Sequence, residues 1–211
     1  MSAAGHALPS EQYVPLLGEA ASRSGLALSP ATISALSTYL AELDRWRRRV
    51  NLTGMLSAEE LADHVMESLA GSPLVPDRAE LLDIGSGAGV PGIPLAVLRP
   101  DIRVTLLEPR RKRMAFLQHV RRVLALENLF ALEARTERLP EARWNVATTR
   151  GVGRLSGVVG AGSFLTPGGL LLVWTTAPDA LAAALAGRFR LVKALRLPAS
   201  RRKQIAMFRR Q

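Results

Sequence analysis

The run of residues 81–92 limits the possible fold of this chain more than any other stretch. It opens with Leu81, Leu82 and Ile84, which suit a strand covered on both faces of a sheet. It continues into a turn rich in glycine, a residue without a Cβ atom, so that the backbone can pass close to a ligand. Residues 93–98 are then predicted to form a helix whose N-terminus points towards that ligand.

A second apolar strand, residues 104–107, follows this helix and ends at an acid, Glu108. Strand, glycine loop, helix, strand and acid together form a nucleotide-binding βαβ unit, in which the terminal acid takes the two hydroxyls of a ribose. The unit predicts a cofactor site at the loop. The alternative is a turn that uses its glycines only for close packing.

The spacing of the glycines distinguishes between cofactors. The dinucleotide fingerprint G-x-G-x-x-G needs a third glycine at position 90, where this chain has Val90. The loop instead has the form D-x-G-x-G-x-G, from Asp83 to Gly89, which is typical of sites for S-adenosylmethionine (SAM). SAM has no pyrophosphate. It offers a ribose to Glu108, and a sulfonium and an ammonium to an acid such as Asp83.

Composition predicts a folded protein with an anionic partner. The chain has 211 residues, 48% of them hydrophobic, which is enough for a sizeable core. It has no cysteine and three scattered histidines, so we expect neither disulfides nor a metal site. The net charge of +10 favours a polyanion such as nucleic acid. The alternative is an organism whose proteins are generally rich in arginine.

No stretch of the sequence predicts export or membrane insertion. Residues 1–10 have neither a basic start nor an apolar core, so we do not expect a signal peptide. The longest uncharged run, between Arg154 and Asp179, is interrupted by glycines and a proline, which argues against a membrane span. We therefore expect a cytoplasmic protein.

Helical periodicity comes first along the chain, and strands follow. Residues 1–76 are predicted to form an N-terminal helical extension, with helices at 11–23, at 30–47 and from Ser57 onwards. Residues 77–211 are predicted to form a SAM-binding Rossmann-like domain, packed with the extension into one compact unit. Alternating strands and helices predict an α/β fold with a doubly wound, mostly parallel sheet of seven strands.

The later elements of this domain follow the same alternation. The last two strands are adjacent in sequence, so we expect one of them to join the sheet antiparallel. A turn of the form L-x-P-G-G is predicted to precede the fifth strand. The predicted later strands are residues 129–134, 144–150, 170–175, 189–197 and 204–208, and the predicted later helices are 110–124, 155–164 and 178–185.

These motifs together resemble the Rossmann-like, class I SAM-dependent methyltransferases. The extended motif G-x-P-G-I-P-L at residues 89–95, and Asn-Leu-Thr at residues 51–53, are similar to the RsmG (GidB) family. The resemblance covers residues 46–208. It implies methylation of N7 of one guanine in 16S ribosomal RNA (rRNA), with the 30S subunit as partner. We expect a monomeric protein.

The resemblance also implies contacts for individual residues. Gly85 and Val90 would line the SAM pocket through the loop. Thr136 and Glu137 would meet the adenine after the third strand, and Arg150 would lie beside both the cofactor and the target base. The predicted cofactor-binding residues are Asp83, Gly85, Ser86, Gly87, Gly89, Val90, Glu108, Thr136, Glu137 and Arg150.

Arg150 and His64 are the candidates for acting on the substrate. Guanine N7 carries an in-plane lone pair and no proton, so its methylation needs no general base. Arg150 is predicted to position the base or its phosphate; the alternative is a structural ion pair with an acid such as Glu137. His64 is predicted to touch RNA or the carboxylate of SAM; the alternative is a structural role.

Arginines elsewhere in the chain are the predicted phosphate contacts. Such contacts release counterions, so RNA binding would depend strongly on salt. Trp46, which lies within an arginine-rich run, is either a platform on which a base stacks or the apolar anchor of its helix. The predicted RNA-binding residues are Arg47, Arg48, Arg110, Arg111, Arg201 and Arg202.

Three positions depart from the family pattern. The family usually has a basic residue where this chain has Asp63, an aspartate where it has Glu67, and a lysine near Trp174, whose ring offers a surface for a base. These departures leave two alternatives open. One is a methyltransferase of the same fold with a protein or small-molecule acceptor, and the other is a non-catalytic RNA-binding scaffold.

Overall fold

The computed structural model describes residues 7–55, 57–151, 163–197, 200 and 202–211. Most of the helix predicted at residues 155–164 lies outside the described residues, as does Arg201. Within the described part of the chain, no helix is both long enough and apolar enough to cross a membrane.

Helices precede strands in the order that the hydrophobic pattern predicts. The described helices are α1 (Ser10–Ser24), α2 (Pro30–Arg47), α3 (Ala58–Leu69), α4 (Gly92–Leu98), α5 (Arg111–Val123) and α6 (Pro178–Leu185). The described strands are β1 (Glu80–Ile84), β2 (Arg103–Leu107), β3 (Leu129–Leu132), β4 (Trp144–Arg150), β5 (Leu165–Thr175), β6 (Phe189–Arg196) and β7 (Gln204–Arg210).

The described strands form one sheet of seven, in the order β3-β2-β1-β4-β5-β7-β6. Strands β1 to β5 pair in parallel, and β7 runs antiparallel to both of its neighbours. The predicted α/β fold class is therefore confirmed, including the antiparallel strand. The chain moves outwards from β1 to β3 and then returns to β4, so that a crevice forms between β1 and β4, where sheets of this kind bind ligands.

Capping residues begin two of the N-terminal helices. The Ser29 hydroxyl accepts a hydrogen bond from the Thr32 N–H at 3.1 Å, just before the proline that opens α2. At α3, the Ser57 hydroxyl accepts from the Glu60 N–H, and the Glu60 carboxylate accepts in return from the Ser57 N–H. Both caps satisfy amides that have no partner within the helix, which explains why the helices begin where the sequence predicts.

Strand β5 begins earlier than the sequence predicts. The segment predicted as a turn, residues 165–169, belongs to the strand, because Leu165 pairs with Trp144 of β4. The register between the two strands then shifts before Leu170 pairs with Val146. Gly168 lies in this irregular stretch with a φ of 73°, a conformation that favours glycine. The proline and glycines thus produce an irregularity within a strand instead of a separate turn.

Two hydrophobic cores cover the two faces of the sheet. Leu81 packs in the core that includes residues of α1 to α5, whereas its neighbour Leu82 packs in the core that includes Leu185 of α6. Successive side chains of a strand point to opposite faces, so the two cores lie on opposite sides. The N-terminal helices share the first core with β1. The division at residue 76 remains a prediction.

Candidate active site

A cavity of about 490 Å³ lies at the carboxyl end of β1, between the glycine loop and the N-terminal helices. Its size is within the usual range for small-molecule sites. The loop supplies one wall, α2 and α3 supply the opposite wall, and the segment between these two helices supplies a third side. The lining residues include Tyr39, Asn51, His64, Gly85, Ser86, Gly87, Val90, Arg113 and Arg150.

Asp83, at the end of β1, supports the loop from behind. Its fully buried carboxylate accepts a hydrogen bond from Thr148 Oγ1 at 2.9 Å and another from the Gly92 N–H at 3.3 Å. Burial raises the pKa of Asp83 to about 6, although these hydrogen bonds favour the charged form. Asp83 is not among the described residues that line the cavity. Asp83 therefore shapes the loop, and its direct contact with the cofactor remains a prediction.

Two glycines allow the loop to pack tightly against the first turn of α4. A Cβ atom on Gly92 would lie 2.4 Å from Leu106 Cδ2 and 2.8 Å from Asp83 Oδ2. Gly89 has a φ of 93°, and a Cβ atom there would lie 2.3 Å from Ile93 Cδ1. Gly89 therefore serves packing, in agreement with the close-packing interpretation, whereas Gly85, Ser86, Gly87 and Val90 line the cavity.

Glu108, at the end of β2, lies beside the loop, as its spacing predicts. Its carboxylate is almost completely buried. It accepts hydrogen bonds from the Gly87 N–H at 3.1 Å and from the Arg110 N–H at 3.0 Å. Arg113 Nη1 is 4.0 Å from the same carboxylate. The acid and the loop of the βαβ unit are therefore together, and the contact with a ribose remains a prediction.

Glu67, on α3, contacts polar side chains from β4, from β5 and from the residue just before β7. We call this group the Glu67 cluster: Glu67, Arg150, Trp174 and Lys203. The Arg150 guanidinium donates to one carboxylate oxygen of Glu67, and Lys203 Nζ donates to the other at 2.8 Å. Trp174 Nε1 donates to the Glu67 carbonyl at 2.7 Å. The side chains of Glu67 and Arg150 are only 9% and 11% exposed. A buried pair of this kind is costly to break, because either charge alone would remain out of water.

Arg150 also donates through Nη1 to the His64 carbonyl at 3.3 Å. Burial lowers the pKa of Arg150, and the charge of Glu67 opposes that shift. The alternative role for Arg150 was an ion pair with an acid such as Glu137. The structure contains an ion pair, and its acid is Glu67. Arg150 nevertheless lines the cavity. Arg150 therefore forms a structural ion pair and lines the cavity at the same time.

A second cavity, of about 420 Å³, lies at the carboxyl ends of β4 and β5. It shares Arg150 and Gly151 with the first cavity. Trp174 forms part of its wall but is only 7% exposed, and its ring packs so closely on Gly71 that a Cβ atom there would lie 2.7 Å away. The indole is therefore a buried part of the wall and does not offer an open stacking surface. The two cavities meet at Arg150.

The His64 side chain lines the first cavity from α3. Its Nδ1 atom is buried and has no hydrogen-bond partner among the described residues. Burial lowers the pKa of His64 to about 2, and the positive charges of Arg150 and Lys203 add to this shift. The imidazole is therefore neutral at physiological pH.

Two residues of the site are absent from the predicted set. The Tyr39 hydroxyl, fully buried in α2, donates to the Ala88 carbonyl of the loop at 2.8 Å. Arg113, on the first turn of α5, donates to the Asn51 carbonyl at 3.0 Å. Tyr39 lies among the apolar positions of its helix, and nothing in the sequence distinguishes it from a core residue. Arg113 stands five residues after Glu108, and this closeness in sequence could have predicted that Arg113 lies near the site.

Thr136 and Glu137 lie in a short 3-10 turn, Thr136–Arg138, after β3. Thr136 is half-buried and Glu137 is exposed. The described lining of the first cavity includes neither residue. Their contact with an adenine therefore remains a prediction, based on their position beyond the end of β3.

The predicted RNA-binding arginines fall into two groups. Arg47 is only 17% exposed, and it donates to Asp44 at 2.7 Å and to the Met55 carbonyl. Arg48, 40% exposed, lies 3.4 Å from the same carboxylate. The Arg47 guanidinium is therefore engaged inside the protein, and its contact with RNA remains a prediction. The exposed members of the set are Arg48, Arg110, Arg111 and Arg202.

Trp46, next to Arg47, packs inwards. Its ring centroid lies 5.8 Å from that of Phe116 and 5.3 Å from that of His119, both on α5. His119 is half-buried, and its Nε2 lies 2.7 Å from Glu42. These contacts favour the interpretation of Trp46 as the apolar anchor of its helix.

Sheet order, glycine loop and terminal acid together define the Rossmann-like class of methyltransferases, which use SAM. The residues at the loop fit this cofactor: the cavity has the size of a small-molecule site, and the buried Glu108 carboxylate stands at the loop. A sequence profile of the family described as rRNA small subunit methyltransferase G, or GidB, matches residues 32–181. The chain belongs to this family.

Individual relatives agree with this assignment. The ribosomal RNA small subunit methyltransferase G of Stenotrophomonas maltophilia is 40% identical over 169 residues, which cover 77% of this chain and 79% of the relative.

Solved structures resemble this chain at the level of the fold alone. A ribosomal protein L11 methylase from Lactobacillus delbrueckii subsp. bulgaricus has a TM-score of 0.59 and 13% identity, covering 71% of this chain and 79% of that one. A SAM-dependent methyltransferase from Aquifex aeolicus has a TM-score of 0.53 and 13% identity, covering 64% and 83%.

Proposed function

We propose that this chain methylates N7 of one guanine in 16S rRNA, with SAM as the methyl donor and the small ribosomal subunit as the substrate particle. The observation that carries the proposal is the meeting of two cavities at Arg150, one beside the glycine loop and one beyond β4 and β5. Such an arrangement suits a reaction in which a cofactor in one cavity and an acceptor base in the other meet beside Arg150.

The proposed reaction does not require the protein to transfer a proton. When bound, SAM supplies an electrophilic methyl group. Guanine N7 presents a lone pair in the plane of the base, so no side chain has to remove a proton. The protein contributes by holding the acceptor atom in line and by excluding water, and positioning of this kind lowers a barrier substantially.

The loop side of the site is proposed to hold the cofactor. Gly85, Ser86, Gly87 and Val90 line the cavity, which supports their contact with SAM. Glu108 is proposed to take the ribose hydroxyls, since its carboxylate already lies at the loop. Thr136 and Glu137 are proposed to meet the adenine. Asp83 and Gly89 act on the cofactor indirectly, because they set the shape of the loop.

Arg150 is proposed to position the acceptor nucleotide. Its guanidinium is held by Glu67 and by the His64 carbonyl, so it has little freedom to turn. An arginine that reads guanine commonly contacts both O6 and N7. In this reaction N7 must stay free, so the contact goes to O6 or to the phosphate.

The RNA surface is proposed to include Arg48, Arg110, Arg111 and Arg202. Arg111 is 92% exposed and its nearest acid, Glu133, is 3.4 Å away, so its charge remains available to solvent and to phosphates. Such contacts position RNA without reading its sequence. We further propose that the protein acts in the cytoplasm as a monomer, with residues 1–76 as a helical extension of the domain formed by residues 77–211.

The departures from the family pattern have local structural explanations. Asp63 pairs with Arg23 at 2.6 Å, between α1 and α3. Glu67 binds two cations and Trp174 is buried against Gly71, so both serve the packing of the site. These positions therefore do not favour a protein or small-molecule acceptor over RNA.

The test is transfer of a radiolabelled methyl group from SAM to 30S subunits that lack the modification, followed by digestion to nucleosides. We expect labelled 7-methylguanosine with the unaltered protein. Arg150→Lys should reduce the transfer by about tenfold or more while SAM binding persists, whereas Arg138→Lys, an exposed control, should leave it unchanged. Absence of label in RNA, with SAM bound, would refute the proposed substrate.

A further inference from the structure

The His64 imidazole makes no hydrogen bond to the described residues, although its backbone carbonyl accepts two. Its backbone carbonyl accepts from Ser68 Oγ at 2.8 Å and from Arg150 Nη1 at 3.3 Å, so the main chain is tied on both sides. The ring lines the first cavity, and its Nδ1 atom is sealed from solvent. The remaining nitrogen, Nε2, is the one through which the ring can meet a ligand.

The sealed Nδ1 atom determines where the proton of this neutral ring lies. A buried N–H without an acceptor is rare and costly, whereas an unpaired acceptor is better tolerated. Nδ1 therefore carries the lone pair and Nε2 carries the hydrogen. The low pKa of His64 agrees with a neutral ring. At the cavity, His64 is thus a hydrogen-bond donor and needs an acceptor on the ligand.

The order of the strands indicates which end of the cofactor meets His64. Glu108 ends β2, and Thr136 follows β3, on one side of β1. Arg150 ends β4 on the other side, and its guanidinium reaches the His64 carbonyl. A cofactor with its ribose at Glu108 and its adenine near Thr136 therefore extends its methionyl end across the loop towards His64.

The charges around this end of the cavity favour an anion. The described lining of the whole cavity has two charged side chains, both cations. Arg113 lies beside Glu108, and Arg150 is the one at the His64 end. The nearby acid, Glu67, is engaged by Arg150 and Lys203. SAM carries one anionic group, the carboxylate of its methionyl end, and that group accepts hydrogen bonds without donating any.

We propose that His64 binds the carboxylate of SAM through Nε2–H, as a cofactor-positioning residue. The inference rests on the proposed function, because it takes SAM as the ligand. His64 therefore contacts the cofactor and does not contact RNA directly.

Calorimetric binding of SAM and of decarboxylated SAM tests the contact, because the two ligands differ only in the carboxylate. We expect His64→Ala to weaken SAM binding by at least about tenfold, the usual scale for a hydrogen bond to a charged group. The same variant should bind decarboxylated SAM as the unaltered protein does, which also shows that its pocket is intact. His64→Gln, whose amide N–H replaces Nε2–H, should recover most of the loss for SAM.

The matched control is His119→Ala, since the His119 ring pairs with Glu42 away from the cavity and should affect neither ligand. Equal losses for both ligands in His64→Ala would overturn the carboxylate contact, as would unchanged SAM binding. If the unaltered protein binds no SAM, the proposed function itself fails, and this contact fails with it.

Discussion

The site has two sides that use buried acids in different ways. On the loop side, Asp83 and Glu108 accept hydrogen bonds from backbone amides and from the hydroxyl of Thr148. On the β4 side, Glu67 accepts from the cations Arg150 and Lys203. The loop side therefore keeps its acids in a mostly neutral environment, whereas the Glu67 cluster balances charge against charge.

The two sides of the site are therefore held together by different interactions. Hydrogen bonds from nearby amides tie a loop to the ends of its own strands, and they work whichever side chains surround them. A buried ion pair depends on partners that arrive from other elements, and removing one partner leaves the other charge out of water. We therefore expect the Glu67 cluster to be the more fragile of the two sides.

The largest effect should follow from Glu67→Gln. Removal of this charge leaves the mostly buried Arg150 without its carboxylate, and we expect the free energy of unfolding to fall by about 3–5 kcal/mol in urea denaturation. The control is Glu133→Gln, which removes the acid from the exposed pair with Arg111 and should cost at most about 1 kcal/mol. Equal effects of the two substitutions would show that the buried ion pair of Glu67 contributes no more to stability than the exposed pair of Glu133.

Asp83 gives a prediction for the loop side that depends on pH. The folded pKa of about 6 exceeds the ordinary value of 3.8, so the protonated form stabilises the fold. This contribution is fully present below the ordinary pKa and is lost as pH rises through the folded one. Relative to Asp83→Asn, the unaltered protein should therefore lose about 3 kcal/mol of unfolding free energy across that interval.

The measurement for Asp83 is urea denaturation of both proteins at a series of pH values. Asp77→Asn, which removes a carboxyl group that is 95% exposed, serves as the control. A difference between Asp83→Asn and the unaltered protein that does not change with pH would show that burial does not perturb the Asp83 carboxyl.

A smaller effect is expected from Tyr39→Phe. The substitution leaves the Ala88 carbonyl without its donor, which should lower the free energy of unfolding by about 1–3 kcal/mol and weaken SAM binding. Tyr13→Phe is the matched control, since the Tyr13 hydroxyl is buried beside Asp44 without a hydrogen bond of normal geometry. Thermal and calorimetric measurements that find the two variants alike would exclude a role for Tyr39 in holding the loop.

The smallest effect should come from Lys203→Met. Lys203 is 47% exposed, and Arg150 remains to balance Glu67, so we expect a loss of at most about 1 kcal/mol that decreases further in high salt. Lys193→Met, an exposed control on β6, should change stability even less. A loss comparable with that of Glu67→Gln would mean that the cluster depends on all three charges together.

Local patterns predicted much of the fold and the loop side of the site. Alternating apolar segments predicted the strands, and glycine spacing with Glu108 predicted a loop and an acid that lie together in the structure. These predictions succeed because the parts are neighbours: parallel strands end at the same edge of a sheet, and a βαβ unit brings the ends of two successive strands together.

Charge in the sequence was a weaker guide. The arginine run after Asp44 and the run after Glu108 look alike, and both were predicted to bind RNA. In the structure Arg47 turns inwards to Asp44, whereas Arg111 stays almost fully exposed. A count of cations cannot distinguish these outcomes, because the difference depends on which helix face the fold buries.

Spacing along a short stretch was enough to predict the class of fold, the cofactor loop and the acid beside it. The partners of Glu67 stand 83 and 136 positions further along the chain, so they became visible only in the folded protein. The same is true of the buried Nδ1 atom of His64 and of the covered Trp174 ring. Ion pairing and desolvation act through space, and only the packed chain shows which distant charges share one buried site.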